Sequence, residues 1–237
     1  MSEAKVKAIV LGGVDYKEKD KLVNLFTLEK GIITVVFKSI KNPNAKLKSA
    51  KEIFSFGDFV YVEGKYNTVT SADIISTFYE VTKDIQKYYS ACAVLNIVKT
   101  VLPIGEANVP LFVDTLKCLN MLAYANVNSY YILNKFLIRI FEGFGYEFAL
   151  NACNNCGEKF LNHRFMNLTY GDITCYNCKT GIYKEITSGE YSALRLLSLT
   201  DYDSLSTLKL TKGIERQVFE LLNLNFEKRF GKKLEII

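Results

Sequence analysis

The spacing of apolar and polar positions changes once along the chain. Up to about residue 80 the apolar residues fall in short runs: Val6–Leu11, Ile32–Lys38, Phe56–Gly64 and Thr68–Ser76. These runs are rich in β-branched and aromatic side chains and are bounded by Gly, Asn or Asp, the pattern of strands. Within them Phe59, Tyr61 and Glu63 alternate with Val60 and Val62. Leu47–Phe54 carries a weaker strand pattern. Asp20–Glu29 reads as a short helical turn stopped at Gly31, where a glycine suits a left-handed C-terminal position. Short strands around one small helix favour a small barrel over a βαβ layout.

From Asp84 the period becomes helical. Ile85, Tyr88, Tyr89, Cys92, Leu95, Val98 and Leu102 share a face, and Pro103 ends that helix. Asn108 and Pro110 predict an N-cap and first-turn proline for a helix through Leu111, Leu116, Leu119 and Leu122. A third helix is expected over Ser129–Phe144, ending in the Gly143–Gly145 segment. After an interruption at about Asn151 to Ile182, Thr187-Ser-Gly-Glu190 has capping-box spacing, followed by Leu194, Leu197 and Leu199. The last helix, Thr211–Phe230, gathers Ile214, Val218, Leu221, Leu222 and Phe226 and stops at Gly231. The class is α+β: a barrel over 1–80, an α-helical bundle over 81–150 and 183–237, and an insertion at 151–182.

The apolar fraction of 49% is enough for a core, and the net charge of +5 is compatible with a polyanionic partner without requiring one. The longest apolar runs, Tyr130–Leu133 and Phe136–Ile138, are cut by Asn134, Lys135 and Arg139, whereas a membrane span needs roughly 20 apolar residues. The start, MSEAKVKAIVLGG, lacks the features of a signal peptide. A cytosolic protein with reduced thiols is expected, which favours metal over disulfides for clustered cysteines.

Four of the six cysteines form C-x2-C, eighteen residues, C-x2-C: Cys153, Cys156, Cys175 and Cys178. Each pair sits in a tight turn that aims two thiolates at one point, about 2.3 Å from each sulfur for zinc. Gly157 follows the first pair, where a positive φ is useful. Four thiolates close a tetrahedral shell and leave no position for a water, so one structural Zn2+ is expected, contributing on the order of 10 kcal/mol to local folding. The competing accounts are free thiols, two disulfides or a redox C-x-x-C; the last is normally a single motif at a helix start. Cys92 and Cys118 lie in helical apolar patterns and read as core. His163, the one histidine, has no sequence-level nucleophile partner.

Lys38, Lys41, Lys46, Lys48 and Lys51 cluster with no acid between them, around the turn signal Asn42-Pro43-Asn44. On a mobile loop at a barrel edge they would follow a phosphate backbone, while Phe37, Tyr61 and Tyr66 are candidates to stack bases. The competing account is a solvated surface loop, since Asp15, Glu18, Asp20 and Glu29 nearly cancel the charge elsewhere in this region. Five lysines on the phosphates of one strand would give a log–log salt slope of roughly −3.5. Between Cys153 and Cys178, Lys159 and Arg164 are offset by Glu158 and Asp172, so any nucleic-acid contacts are expected on the barrel rather than the metal module. No P-loop, G-x-S-x-G or H-E-x-x-H occurs, Gly12-Gly13 lacks a third glycine, and no enzyme is expected.

The run AIVLGGVDYKEKDKLVNLFTLEKGIITVVFKSIKNPNAKL resembles the opening of the RecO family of bacterial recombination mediators. The likeness lies in the first strand, the D-Y-x-E-x-D-x-L turn (Asp15, Tyr16, Glu18, Asp20, Leu22), L-F-T, the glycine before the next strand and the basic loop. The order of parts is also similar: a five-stranded OB-fold, a helical domain and a four-cysteine module. The resemblance implies a cytoplasmic, nucleoid-associated, non-enzymatic repair factor. Such a factor binds single- and double-stranded DNA and anneals complementary strands. With RecR it loads RecA onto strands coated by single-stranded-DNA-binding protein (SSB). It implies no membrane partner and no small-molecule substrate. Lys21 joins the five loop lysines as a DNA contact by the same resemblance. The SSB C-terminal tail would dock in an apolar groove with basic rims, for which Lys135, Arg139, Arg216, Lys228 and Arg229 are candidates. A zinc-stabilised adaptor and an RNA-binding OB protein without annealing activity remain as alternative readings.

Overall fold

The computed structural model describes residues 2–148, 150–160 and 163–235; Leu161 and Asn162 of the expected insertion lie outside them. The chain divides into two compact units, 1–124 and 125–237.

The first unit is a closed barrel of β1 (Glu3–Tyr16), β2 (Asp20–Thr27), β3 (Gly31–Phe37), β4 (Phe56–Val62) and β5 (Asn67–Ser76), in the order β1-β2-β3-β5-β4. Pairing of β1 with β4 closes it, and β3 meets β5 in parallel at Val35–Asn67 and Val36–Thr68. This is the five-stranded OB layout. Alternation places Val6, Ala8, Val10, Val23, Leu25, Val35, Phe37, Phe59, Tyr61 and Val69 inside. β1 serves two neighbours because a bulge at Gly12, φ 121°, bends it.

Asp20–Glu29 is therefore mostly strand, not a helical turn. Leu22, Val23, Leu25 and Phe26 imitate helical spacing because both faces of β2 are covered at one end: Leu25 points into the barrel, while Phe26 packs on Phe112 outside, ring centroids 5.2 Å apart. The weak strand pattern at Leu47–Phe54 is also overturned. Ser49–Lys51 forms one 3-10 turn and Phe54 takes φ 73°, so Ala50 and Phe54 are buried without a ladder.

Helices α1 (Ile85–Val101) and α2 (Val109–Tyr124) start where the change of period at Asp84 and the Asn108 cap predict. Asp84 accepts from the Lys87 N–H at 2.9 Å and Asn108 from the Leu111 N–H at 3.0 Å. By contact they group with the barrel rather than with the later helices. Their connection lies on β3: Gly105 N–H donates to Ile32 carbonyl at 3.0 Å. Gly31 (φ 66°) sits under it, and a Cβ there would come 2.0 Å from the Glu106 carbonyl oxygen. Gly31→Ala should cost on the order of 3 kcal/mol, from overpacking plus a left-handed φ, measured as a lower urea midpoint at unchanged m-value.

The second unit holds α3 (Ser129–Gly143), a small sheet, α4 (Ser188–Leu199) and α5 (Ile214–Phe230). Leu133, Phe136, Leu137, Phe141, Leu194, Leu197, Val218, Leu222 and Phe226 are its buried core. The capping box forms: Glu190 N–H donates to Thr187 Oγ1 at 3.2 Å, and Thr187 N–H to the Glu190 carboxylate at 2.8 Å. Leu199, expected in the apolar set, is 73% exposed because it closes the last turn of α4. Gly231 (φ 72°) stops α5.

Candidate metal centre and nucleic-acid interface

Three short strands frame the cysteines: β6 (Arg164–Asn167), β7 (Ile173–Thr174) and β8 (Tyr183–Ile186), ordered β7-β6-β8. The first knuckle is a tight turn in which Gly157 (φ 73°) donates its N–H to the Cys153 carbonyl at 2.9 Å. The second is a 3-10 turn at Tyr176–Cys178. Asn154 ties the two together, its N–H on the Ile173 carbonyl at 3.0 Å and its Oδ1 accepting from the Ile173 N–H at 3.3 Å.

All four sulfurs lie within 4.8 Å of one another, with Cys156 and Cys175 Sγ 3.9 Å apart. Four sulfurs about 2.3 Å from a tetrahedral centre lie about 3.8 Å apart, so the set fits one thiophilic ion. The thiols are already differentiated. Burial pushes Cys153 up, but the N–H groups of Cys156, Cys175 and Asn155 outweigh it and bring the thiol down to about 6. The Glu158 N–H pulls Cys156 down, yet burial and the thiols of Cys153, Cys178 and Cys175 prevail and push it up to about 12. Cys178 is also raised: Asn155 and Cys156 lower it, and Cys175 and lost solvent outweigh them. His163 is not in the cluster; its Nδ1 faces Glu185 at 2.7 Å. Cys118 is buried and Cys92 half-buried, as core residues.

The lysine segment is anchored on the barrel. Ile40 and Ala50 are buried against the barrel core, with Ala45 and Leu47 packed on it. Ser39 N–H donates to Asp20 at 2.8 Å. Lys41 is held by Asp15 at 3.1 Å and Lys51 by Glu52 at 2.5 Å. Lys38 and Lys46 line one shallow depression of about 330 Å³, and Lys48 is exposed nearby in the chain. Among the described residues, none of these three ammonium groups has an acidic partner. Lys21 lies on β2 opposite Asp15, which shares its field.

Of the three candidate stacking rings, Phe37 and Tyr61 are in the barrel core, because their inward parity on β3 and β4 closes it. Tyr66 remains, 52% exposed. It meets Tyr16 of the D-Y-x-E-x-D-x-L turn, a ring not among the stacking candidates: the Tyr16 and Tyr66 ring centroids are 6.1 Å apart. Lys17 covers Tyr16 at 5.2 Å and Lys65 covers Tyr66 at 5.8 Å. The β1–β2 and β4–β5 connections thus share an aromatic pair flanked by two cations, at the loops where OB-folds grip oligonucleotides. The Tyr-Lys and Lys-Tyr dipeptides are visible in sequence; only the strand order brings them together.

The candidates for a basic-rimmed groove change as well. Lys135 is buried, and its ammonium donates to the Ser198 carbonyl at 2.9 Å. Arg139 pairs with Glu142 at 2.9 Å. Arg229 lies over Tyr146 at 4.0 Å and donates to Asn225 at 2.8 Å. A groove of about 630 Å³ does run along α5, floored by Tyr130, Phe219 and Leu224. Its rim carries Lys184, Arg216 and Lys233 but also Glu220, Glu227 and Glu235, so charge alone does not select an acidic ligand.

No described helix is long and apolar enough to cross a membrane. The family model for the recombination protein O N-terminal region matches residues 1–78, and that for its C-terminal region matches 82–235. Proteins named DNA repair protein RecO are similar along nearly the whole chain. The one from Clostridium novyi is 26% identical over 235 residues, covering 98% of this chain and 91% of its own. The one from Clostridium perfringens is 25% identical over 228 residues, covering 95% and 92%. That from Caldicellulosiruptor saccharolyticus is 23% identical over 239 residues, covering 100% and 97%. With both halves matched in order, and with the barrel, helices and cysteine cluster in place, the chain belongs to the RecO family.

Proposed function

We propose that this protein is a non-enzymatic mediator of recombination in DNA repair. It binds single- and double-stranded DNA, anneals complementary strands and, with RecR, loads RecA onto SSB-coated strands. The observation that carries the DNA reading is the barrel rim: Tyr16 and Tyr66 in ring contact, flanked by Lys17 and Lys65. The unpaired Lys38 and Lys46 depression extends the same chemistry. Rings stack bases of any sequence and ammonium groups follow phosphates, which suits binding without sequence preference. Annealing requires no bond to be made or broken within a strand. It requires the repulsion between two phosphate backbones to be screened while base edges stay free.

Cys153, Cys156, Cys175 and Cys178 hold one structural Zn2+ in this reading, supported by four thiolates at tetrahedral spacing. The contacts with RecR, RecA and the SSB tail rest on family membership, with the α5 groove as the apolar floor for the tail. A cytoplasmic, nucleoid-associated location follows from the same role.

The test is annealing of two complementary oligonucleotides, one carrying a fluorophore and the other a quencher, without nucleotide cofactor. Quenching should accelerate at least tenfold with the protein present, and Tyr16→Ala/Tyr66→Ala should reverse most of that gain, given about 1–3 kcal/mol per stacked base. Binding without acceleration would leave the adaptor or RNA-binding readings.

A further inference from the structure

The metal module carries a second cluster of rings and cation, on residues to which nothing above gives a role. Lys179 follows the last cysteine. Its ammonium sits 4.1 Å from the Tyr176 ring centroid, 4.5 Å from Phe165 and 4.7 Å from Tyr183. Phe165 is buried and forms the floor. Tyr176 is 62% exposed and Tyr183 43% exposed. Both stand edge-to-face on Phe165, at 62° and 84° and at centroid distances of 6.0 and 5.3 Å. Lys179 therefore occupies a box of three ring faces whose two walls reach solvent.

This cation differs from the ion-paired lysines of the molecule. Lys184 is held by Glu190, Lys41 by Asp15 and Lys30 by Glu63. Lys179 has only rings as partners among the described residues, so meeting a phosphate breaks no ion pair. Cation–π contacts at exposed sites are weak enough to exchange. When the ammonium swings out, it uncovers faces that accept any base. A second, independent feature adjoins it. The neighbours Cys178 and Thr180 line a polar depression of about 160 Å³, with Asn154, Asn155, Asn167 and one acid, Asp172. Asn167 is held by Thr169, Tyr170 and Thr180, and Asn154 Oδ1 by Ile173, which leaves the Asn154 amide nitrogen as a donor toward a base edge. An aromatic cage for a ligand cation is the poorer reading, because the chain fills the cage with its own ammonium.

We infer that the metal module is a single-stranded nucleic-acid subsite in which Tyr176 and Tyr183 stack bases and Lys179 contacts phosphate. This rests on the DNA-binding reading and adds a site in the second unit, where charge counting placed none.

The test uses the metal-loaded full chain and a single-stranded oligonucleotide carrying 5-bromouracil. Irradiation followed by peptide mapping should find cross-links at Tyr176 or Tyr183. Tyr176→Ala/Tyr183→Ala should weaken binding about 5- to 150-fold per lost stack, at unchanged metal content. Tyr176→Phe/Tyr183→Phe, which keeps both rings, should bind as the wild type does, and Lys179→Gln should flatten the log–log salt slope by about 0.7. Wild-type affinity in the double alanine variant, with cross-links confined to residues 1–124, would overturn the subsite and leave the barrel reading standing. Absence of binding and of any cross-link in the wild type would overturn both.

Discussion

A strong chelator at neutral pH will unfold the segment between Leu150 and Ile186 while the barrel unit melts at its former temperature. The reason is how little else holds the module. Its strands are four, two and four residues long. Strands this short are not independently stable, and the buried apolar set at Phe165, Met166, Ile173 and Ile186 is small. Metal ligation contributes on the order of 10 kcal/mol in sites of this kind, enough to decide between folded and unfolded. Calorimetry should resolve two transitions in the loaded protein and lose or lower only one on chelation. Cys175→Ser should do the same without chelator. A module that keeps its transition after the metal is stripped would show that its strands suffice.

The same site sets a pH dependence whose sign is fixed by the thiols. Cys153, at about 6, is largely thiolate at pH 7, whereas Cys156, pushed to about 12, and Cys178, also raised, keep their protons. Ligation must expel at least those two protons, so affinity rises with pH. Between pH 8 and 7 the apparent metal affinity should fall at least about 100-fold, tenfold for each proton released. A competition titration with a chromophoric chelator at the two pH values measures it.

Much of this was readable before any fold was known, because local chemistry carried it. Asn108 and Thr187 cap helices by side-chain bonds to N–H groups three residues on, and paired cysteines form knuckles by themselves. What escaped depended on which faces the fold covers. β2 imitated a helix because α2 buries Phe26 from outside while the barrel buries Leu25. Phe37 and Tyr61 looked like stacking rings until their parity put them inward. Lys135 looked like a groove rim until Ser198 captured it. Charges between Cys153 and Cys178 cancel, but Lys179 lies one residue beyond the last cysteine, and charge does not register the rings that hold it.

Replacing Lys38, Lys46 and Lys48 with alanine will flatten the salt dependence of single-strand binding far more than replacing Lys41 and Lys51. By composition all five are equal members of one basic run. In the fold, Lys41 and Lys51 already neutralise Asp15 and Glu52. A phosphate that recruits them must release that carboxylate, so the net counterion release per contact shrinks. Lys38 and Lys46, which line one depression, and exposed Lys48 undergo no such exchange. Counting these three with Lys17 and Lys65 restores five barrel contacts, but a different five, and a barrel slope of roughly −3.5 at about −0.7 per phosphate. The triple alanine variant should flatten the slope by about 2.1, and Lys41→Ala/Lys51→Ala by well under 1.4. Equal flattening per lysine in the two variants would mean that the ion pairs open freely in solution, as exposed pairs worth under about 1 kcal/mol can. Unequal flattening would show that the pairing, rather than the lysine count, decides which side chains meet the strand.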